Sequence, residues 1–197
     1  MSEQSLEHLW AGWRREYVTS ASAADRRRSG ANATRVDETQ TPDGADDEGD
    51  CVFCRIAASG PPSAENGVVW RSDLTYAVLN AYPYASGHLL VTPVRHVGGL
   101  DQLTQHESAE LWEATVRSAT VITAAYDPDG INMGANLGRA AGAGLPDHLH
   151  LHVLPRWAGD TNFMTTVAGV RVIPESLTDA WQRLHHVWSD GGSFVPG

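Results

Sequence analysis

Three histidines alternate with apolar residues in segment 148–154, and this alternation constrains the fold of the 197-residue chain more than any other feature. The segment has the sequence His-Leu-His-Leu-His-Val-Leu. Side chains two apart in a strand share a face, so the pattern predicts a strand with the imidazoles of His148, His150 and His152 on one side. The intervening apolar side chains then enter a core. Pro155 is expected to end the strand.

Imidazoles in a row on one strand face offer chemistry that few other side chains can supply. A neutral imidazole is a nucleophile near pH 7, and a protonated one donates hydrogen bonds. One ring can attack phosphorus while another stabilises the charge that develops. A metal-binding row and a solvated strand face are the alternatives. The small-residue loop at 138–144 and the Pro-Arg-Trp sequence at 155–157 favour a functional site.

The segments around this strand have the pattern of an α+β domain that begins at Cys51. Further strands are expected at 68–71, 75–80, 88–92 and 131–137. The capping-box sequence from Thr104 to Glu107 opens a long helix to about Tyr126, and Pro174 starts a final helix. One apolar face of the long helix is expected to carry Leu111, Trp112, Thr115, Val116, Ala119 and Ile122, and one face of the final helix Leu177, Trp181, Leu184 and Trp188.

The first 50 residues differ in composition from the rest of the chain. Apolar residues recur at three- and four-residue steps within 1–18, which predicts an N-terminal amphipathic helix. Residues 19–50 are polar, small and charged, and cannot bury enough apolar surface to offset the entropy of ordering. They are expected to form a flexible acidic linker, so that the compact catalytic domain comprises 51–197.

Composition excludes several classes of protein. All 14 basic side chains are arginine, so the chain has no Schiff-base lysine, P-loop lysine or kinase-type strand lysine. The formal net charge of −10 argues against a broad cationic face for nucleic acid. No apolar run approaches the roughly 18 residues that span a bilayer, and no secretory signal is evident. We therefore expect a cytoplasmic protein with neither nucleic acid nor membrane as a partner.

The histidine segment and its surroundings resemble the histidine-triad (HIT) family. Segment 148–154 is similar to the three-histidine pattern from which the family takes its name. Other segments resemble family landmarks in the family's order, at 76–80, 83, 87–93, 96–97 and 134–138. The tail at 152–160 is most similar to the dinucleoside-polyphosphate branch, which includes the fragile-histidine-triad hydrolases and the bacterial HIT-type diadenosine tetraphosphate phosphorylases. The resemblance covers about 51–163.

The resemblance implies an α+β fold with a mainly antiparallel sheet, on which a long helix and a C-terminal helix pack. Such proteins are usually homodimers, formed through the long helix and a strand edge. The extra N-terminal segment makes a tetramer the alternative to a dimer. The implied ligands are an adenine dinucleoside polyphosphate or a mononucleotide.

The same resemblance implies a hydrolase or nucleotidyltransferase that cleaves diadenosine tetra- or triphosphate through a covalent AMP-histidine. By position, His150 is the nucleophile, His152 hydrogen-bonds the phosphate oxygens, and His88 supports the triad from the neighbouring strand. His148 completes the catalytic set. Water or inorganic phosphate then removes the nucleotide, so that hydrolase and phosphorylase both remain open. Mg²⁺ is expected on the polyphosphate substrate.

Several further residues are candidates for substrate binding. Asn80 and Asn136 match polar positions that contact the nucleotide in the family. The backbone N–H groups of the loop residues Gly142, Ala143 and Gly144 can form an anion-binding nest. Trp157 either stacks on a base or packs against the body of the domain.

Cys51 and Cys54 are separated by two residues, a spacing compatible with a redox pair, a buried reduced pair or half of a zinc site. Some histidine-triad proteins hold zinc with two such cysteines, a histidine after the Gly-His strand and the first triad histidine. The resemblance therefore implies the ligand set Cys51, Cys54, His96 and His148. A Cys2His2 set is typical of a structural zinc site.

Two other functions are compatible with the sequence. A second enzyme class of the family hydrolyses nucleoside phosphoramidates, although the tail at 155–160 is unlike that branch. A zinc-stabilised, non-catalytic nucleotide-binding protein is the other alternative, against which the intact His150 argues.

Overall fold

The computed structural model describes residues 51–160 and 175–190. The expected N-terminal helix at 1–18, the linker at 19–50 and the expected helix start at Pro174 lie outside the described residues. The described helices are α1 (Val52–Ala58), α2 (Gln105–Tyr126) and α3 (Leu177–Ser189), and the strands are β1 (Val68–Arg71), β2 (Thr75–Leu79), β3 (Leu89–Pro93), β4 (Gly130–Ala135) and β5 (Leu151–Arg156).

The strands form one antiparallel sheet in the order β1-β2-β3-β5-β4. The strand that carries the last triad histidine, β5, therefore lies between β3 and β4. This arrangement confirms the α+β fold with a mainly antiparallel sheet, and the expected strands are found within about two residues of their bounds except at the histidine segment. None of the helices within the two described ranges combines the length and apolar character needed to cross a membrane.

Strand β5 starts and ends later than the alternation predicts. It begins at Leu151 and continues through Pro155 to Arg156. Pro155 pairs with Ile131 of β4, whereas the pairing of β5 with β3 covers only 151–153. A strand tolerates proline where one of its sides has no partner, so the prediction that Pro155 ends the strand is wrong.

The residues before β5 are held by individual hydrogen bonds instead of a regular ladder. The backbone N–H of Leu149 donates to the carbonyl of Val97 over 2.6 Å. The carbonyl of Leu149 accepts from the hydroxyl of Thr92 over 2.7 Å. These two bonds keep the segment extended, so the alternation of side chains continues from His148 into β5.

The two faces of the sheet pack against different helices. One face packs on α2 and α3, with Ala77, Leu89, Val91, Leu149, Val153, Ile122, Leu184 and Trp188 in the shared core. The other face packs on α1, where Phe53 and Ala57 meet Tyr76, Val78 and Leu90. Leu149 and Val153 belong to the first core, so the histidines between them point to the α1 face.

The capping box of α2 is present as expected. The hydroxyl of Thr104 accepts from the N–H of Glu107, and the Glu107 carboxylate accepts from the N–H of Thr104. The same carboxylate binds Arg95 over 2.7 Å, which together with the cap holds the pKa of Glu107 near 2. This ion pair attaches the start of α2 to the segment that follows β3.

Three residues of the predicted apolar helix faces lie outside the core of the domain. Trp112 and Val116 are 59% and 46% exposed, because the buried stripe of α2 runs through Leu111, Ala114, Thr115, Ser118, Val121 and Ile122. Trp112 and Val116 lie about one residue, or roughly 100° around a 3.6-residue helix, from that stripe. Leu177 is also exposed, since it is the first residue of α3.

Gly87, immediately before the buried His88, lies against the last residue of α2. Its φ is +74°, a region that favours glycine, and a Cβ atom there would come within 2.5 Å of the Tyr126 ring. The Tyr126 hydroxyl in turn donates to Glu175 over 2.7 Å. The turn before His88 is therefore packed against a ring that the start of the α3 region holds in place.

We predict that Gly87→Ala destabilises the protein more than Gly159→Ala does. Gly159 has a similar φ of +77° but open space around it, so its replacement costs only the left-handed strain, about 1 kcal/mol. Gly87→Ala adds the clash with Tyr126, for a further cost of about 1–3 kcal/mol. Urea unfolding of both variants checks this difference. An equal loss of unfolding free energy in the two variants would show that the Tyr126 ring moves aside freely.

Candidate active site

The triad imidazoles share the α1 face of the sheet, as the alternation predicts. His148 and His150 are buried and His152 is half-buried. The ring centroids of His150 and His152 are 5.1 Å apart. The last triad histidine lies beside Leu90 of β3 and Gly134 of β4, so no long side chain from β4 intervenes at this position.

The hydrogen bond of His150 determines which of its nitrogens can react. Its Nδ1 lies 2.9 Å from the carbonyl oxygen of His148. A carbonyl only accepts, so Nδ1 carries the proton and the lone pair of the neutral ring is on Nε2. Nε2 of His150 is therefore the atom suited to attack an electrophile.

A chain of hydrogen bonds likewise determines which ring nitrogen of His152 carries the proton. The backbone N–H of Tyr84 donates to Nδ1 of His88 over 3.1 Å, so the proton of neutral His88 is on Nε2. That Nε2 lies 3.0 Å from Nδ1 of His152 and donates to it. His152 consequently carries its own proton on Nε2.

Nε2 of His152 is a buried donor that has no hydrogen-bond partner in the described part of the chain. Burial, followed by the nearby His150, lowers the pKa of His152 to about 4, so the ring is neutral at pH 7. Buried donors are normally satisfied. An anionic oxygen placed against this N–H would accept its hydrogen bond.

The two candidate asparagines follow different strands, Asn80 after β2 and Asn136 after β4. The side-chain amide of Asn80 is 3.3 Å from Nδ1 of His88, and its oxygen accepts from the N–H of Tyr82 over 3.0 Å. Asn80 is thus joined to the histidine network from the β2–β3 loop. Asn136 follows directly on β4, whose Ala135 pairs with Leu151.

Two backbone N–H groups of the loop before the triad donate to carbonyls of the same loop. The N–H of Gly142 donates to Arg139 and that of Ala143 to Gly138, over 3.0 and 3.3 Å. Gly142 itself has a φ of +92°. Two of the three N–H groups of the predicted anion nest are therefore engaged within the loop.

Trp157 and Arg156, after the triad, contact the domain body. The Trp157 ring lies edge-on to Tyr126, with centroids 6.3 Å apart, which favours the packing alternative for this residue. Arg156 forms a paired contact with Asp160 and donates to Asn132 over 2.9 Å. The Arg156 guanidinium is therefore already engaged by a carboxylate.

The four residues expected to bind metal come together beside the triad. Their ligand atoms, from Cys51, Cys54, His96 and His148, all lie within 4.8 Å of one another. Nδ1 of His148 is 3.3 Å from the sulfur of Cys51 and 3.6 Å from that of Cys54, and the Cys54 sulfur is 3.3 Å from Nδ1 of His96. Both cysteines are free thiols.

The donor set and its tautomers fit a tetrahedral metal ion. Nε2 of His148 donates to the carbonyl of Pro93 over 2.9 Å, which leaves the Nδ1 lone pair directed at the thiols. A metal-binding histidine usually donates its other ring N–H to a carbonyl in this way. Burial is the main cause that lowers the pKa of His148 to about 4, so the ring is neutral, as a ligand must be.

Two aromatic rings lie against the histidines of the site. Phe53, between the two cysteines, is buried and its ring centroid lies 5.3 Å from that of His148 and 5.1 Å from that of His150. Tyr84 lies 4.8 Å from His88 and 5.9 Å from His152 by the same measure. Neither belongs to a periodic pattern; the only signal for Phe53 was its place between Cys51 and Cys54.

Comparison with known proteins identifies the family. A family model for the HIT domain matches residues 62–159. The chain is 40% identical over 184 residues to an AP-4-A phosphorylase of Mycobacterium tuberculosis (strain ATCC 25618 / H37Rv), covering 93% of this chain and 85% of the relative. It is 32% identical over 92 residues to a bis(5'-adenosyl)-triphosphatase of Dictyostelium discoideum, covering 47% of this chain and 61% of that one.

Solved structures share the fold of this chain. A Zn-bound histidine triad family protein from Mycobacterium smegmatis is similar with a TM-score of 0.59 and 25% identity, covering 75% of this chain and 100% of that chain. A Hit-like protein from Bartonella henselae has a TM-score of 0.58 at 23% identity, covering 72% and 98% of the two chains. The chain belongs to the HIT family.

Proposed function

We propose that this protein cleaves dinucleoside polyphosphates, with diadenosine tetraphosphate as the main substrate, through a covalent AMP on His150. The observation that carries the proposal is the pair of tautomers at the end of the triad. His150 presents a lone pair on Nε2, and His152 presents a buried N–H on Nε2. Transfer of a nucleotidyl group requires a nucleophile beside a hydrogen-bond donor for the phosphate. The relatives named AP-4-A phosphorylase and bis(5'-adenosyl)-triphosphatase support this substrate class.

In the first step, Nε2 of His150 attacks the α-phosphorus, and the bond from that phosphorus to the bridging oxygen breaks. ATP leaves when the substrate is the tetraphosphate, and AMP stays on Nε2. The ring becomes positively charged, and its Nδ1–H remains bound to the His148 carbonyl, which stabilises that charge. The Nε2–H of His152 donates to a non-bridging phosphate oxygen, where negative charge develops.

Other residues position these groups. His88 holds the tautomer of His152, and Asn80 holds His88. In this mechanism Asn136 and the N–H of Gly144, both from the expected substrate-binding set, contact the nucleotide. Trp157 takes a packing role in this mechanism, since its ring lies against Tyr126.

The second step removes AMP from His150. Attack by inorganic phosphate yields ADP and restores the neutral imidazole, whereas attack by water yields AMP. We favour phosphate as the acceptor because the relative that matches 93% of this chain is named a phosphorylase. The choice between the two acceptors depends on the space beside the intermediate.

Product analysis with diadenosine tetraphosphate distinguishes these outcomes. We predict ADP and ATP in the presence of phosphate, and little turnover without it. AMP and ATP under both conditions would replace the phosphorylase by a hydrolase. No cleavage, with nucleotide still bound, would favour the non-catalytic alternative, and cleavage of a nucleoside phosphoramidate alone would favour the second enzyme class.

His150→Ala is the matched test of the nucleophile. We predict a loss of at least about 10³-fold in kcat, because the covalent route is closed. His106→Ala, which changes an exposed histidine on α2, should leave kcat and KM unchanged. Denatured wild-type protein quenched during turnover should carry AMP, detected by mass spectrometry. An active His150→Ala variant would overturn the assignment.

We also propose that Cys51, Cys54, His96 and His148 bind one zinc ion. The donor set, the neutral His148 and the Zn-bound relative support this site. When bound, a closed Cys2His2 zinc supplies folding free energy and no catalytic step. The ring of His148 would then be held from both sides, by the metal and by the Pro93 carbonyl.

Metal analysis and calorimetry test the zinc proposal. We predict about one zinc per chain in protein purified without chelator, and a lower melting temperature after chelation. Cys54→Ser should show reduced zinc content and the same lower melting temperature, with no further fall on chelation. His106→Ala should behave as wild type in both measurements. Wild-type protein without zinc would contradict the site.

We further propose that the protein is a homodimer formed through α2 and the outer strand β4. Trp112 and Val116 of α2 are exposed, as is Met133 of β4 at 41%. In the described sheet β4 pairs only with β5, so its other edge is open to a second chain. These surfaces are apolar where a lone domain would normally be polar.

Light scattering tests the dimer. We predict the mass of two chains for wild type and of one chain for Trp112→Glu, because a buried charge disfavours the contact. Leu100→Glu, at a residue that is also about half exposed (51%) but lies in a different segment, should remain dimeric. A wild-type monomer would contradict the interface. A mass of four chains would support the tetramer left open for the N-terminal segment.

A further inference from the structure

We propose that the side chain of Tyr84 is a positioning group, whose ring covers the His88–His152 pair and keeps His152 in the neutral form with its proton on Nε2. This inference rests on the proposed function, because it assigns a role to a residue beside the same phosphate-binding donor. It concerns a residue in the β2–β3 loop for which the sequence contains no periodic signal.

The geometry places the Tyr84 ring against both imidazoles. It is nearly parallel to His152, at an interplanar angle of 12° and a centroid distance of 5.9 Å. It is tilted by 52° over His88 at 4.8 Å. The residue is 49% exposed, whereas His88 is fully buried. One side of the ring therefore covers the histidine pair while the rest faces solvent.

The backbone of Tyr84 acts on the same pair. Its N–H donates to Nδ1 of His88, which leaves the His88 proton on Nε2. That Nε2–H donates to Nδ1 of His152 and so determines the tautomer of His152. The Asn80 oxygen accepts from the N–H of Tyr82 and so stabilises the turn that presents Tyr84. The residue thus orders the histidine network through its main chain and shields it through its ring.

The surroundings of His152 make burial the main control on its charge. Within 51–160 and 175–190, the ionisable groups that face it are His88 across the 3.0 Å hydrogen bond, His150 at 5.1 Å between rings, and the Tyr84 phenol. The strand neighbours Leu90 and Gly134 carry no charge. Desolvation is accordingly the first cause of its lowered pKa.

Loss of the ring should have a definite chemical result. Water would reach His152 and favour protonation of its Nδ1, the atom that now accepts from His88. Two N–H donors would then face each other across 3.0 Å, and the His88–His152 bond would break. The Nε2–H of His152 would lose its fixed direction toward the phosphate.

Imidazole NMR tests this role without relying on turnover. In full-length wild-type protein, we expect the ¹⁵N signals of His152, assigned with His152→Gln, to show the Nε2–H tautomer at pH 7. We expect them to titrate well below the ordinary pKa of about 6.5. Tyr84→Leu should raise the His152 pKa toward 6.5 and mix the tautomers. Tyr84→Phe keeps the ring and should match wild type, as should Tyr82→Leu, which removes an 84% exposed ring from the same loop.

Kinetics with diadenosine tetraphosphate separate positioning from base stacking. We expect Tyr84→Leu to lower kcat by about ten- to a hundredfold with little change in KM, the range for a misplaced catalytic group. A raised KM with unchanged kcat and an unchanged His152 titration would overturn the proposal in favour of a base-stacking platform. An unchanged titration with reduced kcat would also overturn it. If wild type does not turn over the substrate, the proposed function fails, and the NMR comparison still decides the role of Tyr84.

Discussion

The hydrogen bond from Nδ1–H of His150 to the carbonyl of His148 is the contact on which the site depends. Three rings of identical chemistry follow one another along the chain, and side-chain type alone cannot distinguish their roles. The backbone does so. The Pro93 carbonyl orients His148, the His148 carbonyl orients His150, and the Tyr84 N–H orients His152 through His88. The tautomer of each triad ring thus follows from main-chain geometry.

His148 joins the proposed metal site to the proposed catalytic site. Its ring contributes Nδ1 to the Cys51 and Cys54 cluster, while its carbonyl holds the neighbouring His150. Phe53 adds a packing contact, because it lies between the two cysteines in sequence and touches both His148 and His150. A change in the cluster would therefore reach His150 through one backbone carbonyl and one ring.

The features that depend on local pattern could be predicted from the sequence. Alternation placed the triad imidazoles on one face, and the Thr104–Glu107 box marked the start of α2. Features that depend on neighbours could not be predicted. Pro155 continues β5 because the pairing of β5 with β3 stops at Val153. Trp112 is exposed because packing, and not apolar character, selects the buried stripe. The contacts of the Tyr84 ring with His88 and His152 depend on the path of the loop between β2 and β3.

The contact between Gly87 and Tyr126 has a consequence for sequence variation. The two positions are 39 residues apart, yet the absence of a side chain at one provides the space for the aromatic ring at the other. Relatives with a larger residue at position 87 should therefore have a smaller one at position 126, and they should lose the hydroxyl that binds Glu175. Covariation of these two positions across related sequences would show that the loop before His88 and the end of α2 change together.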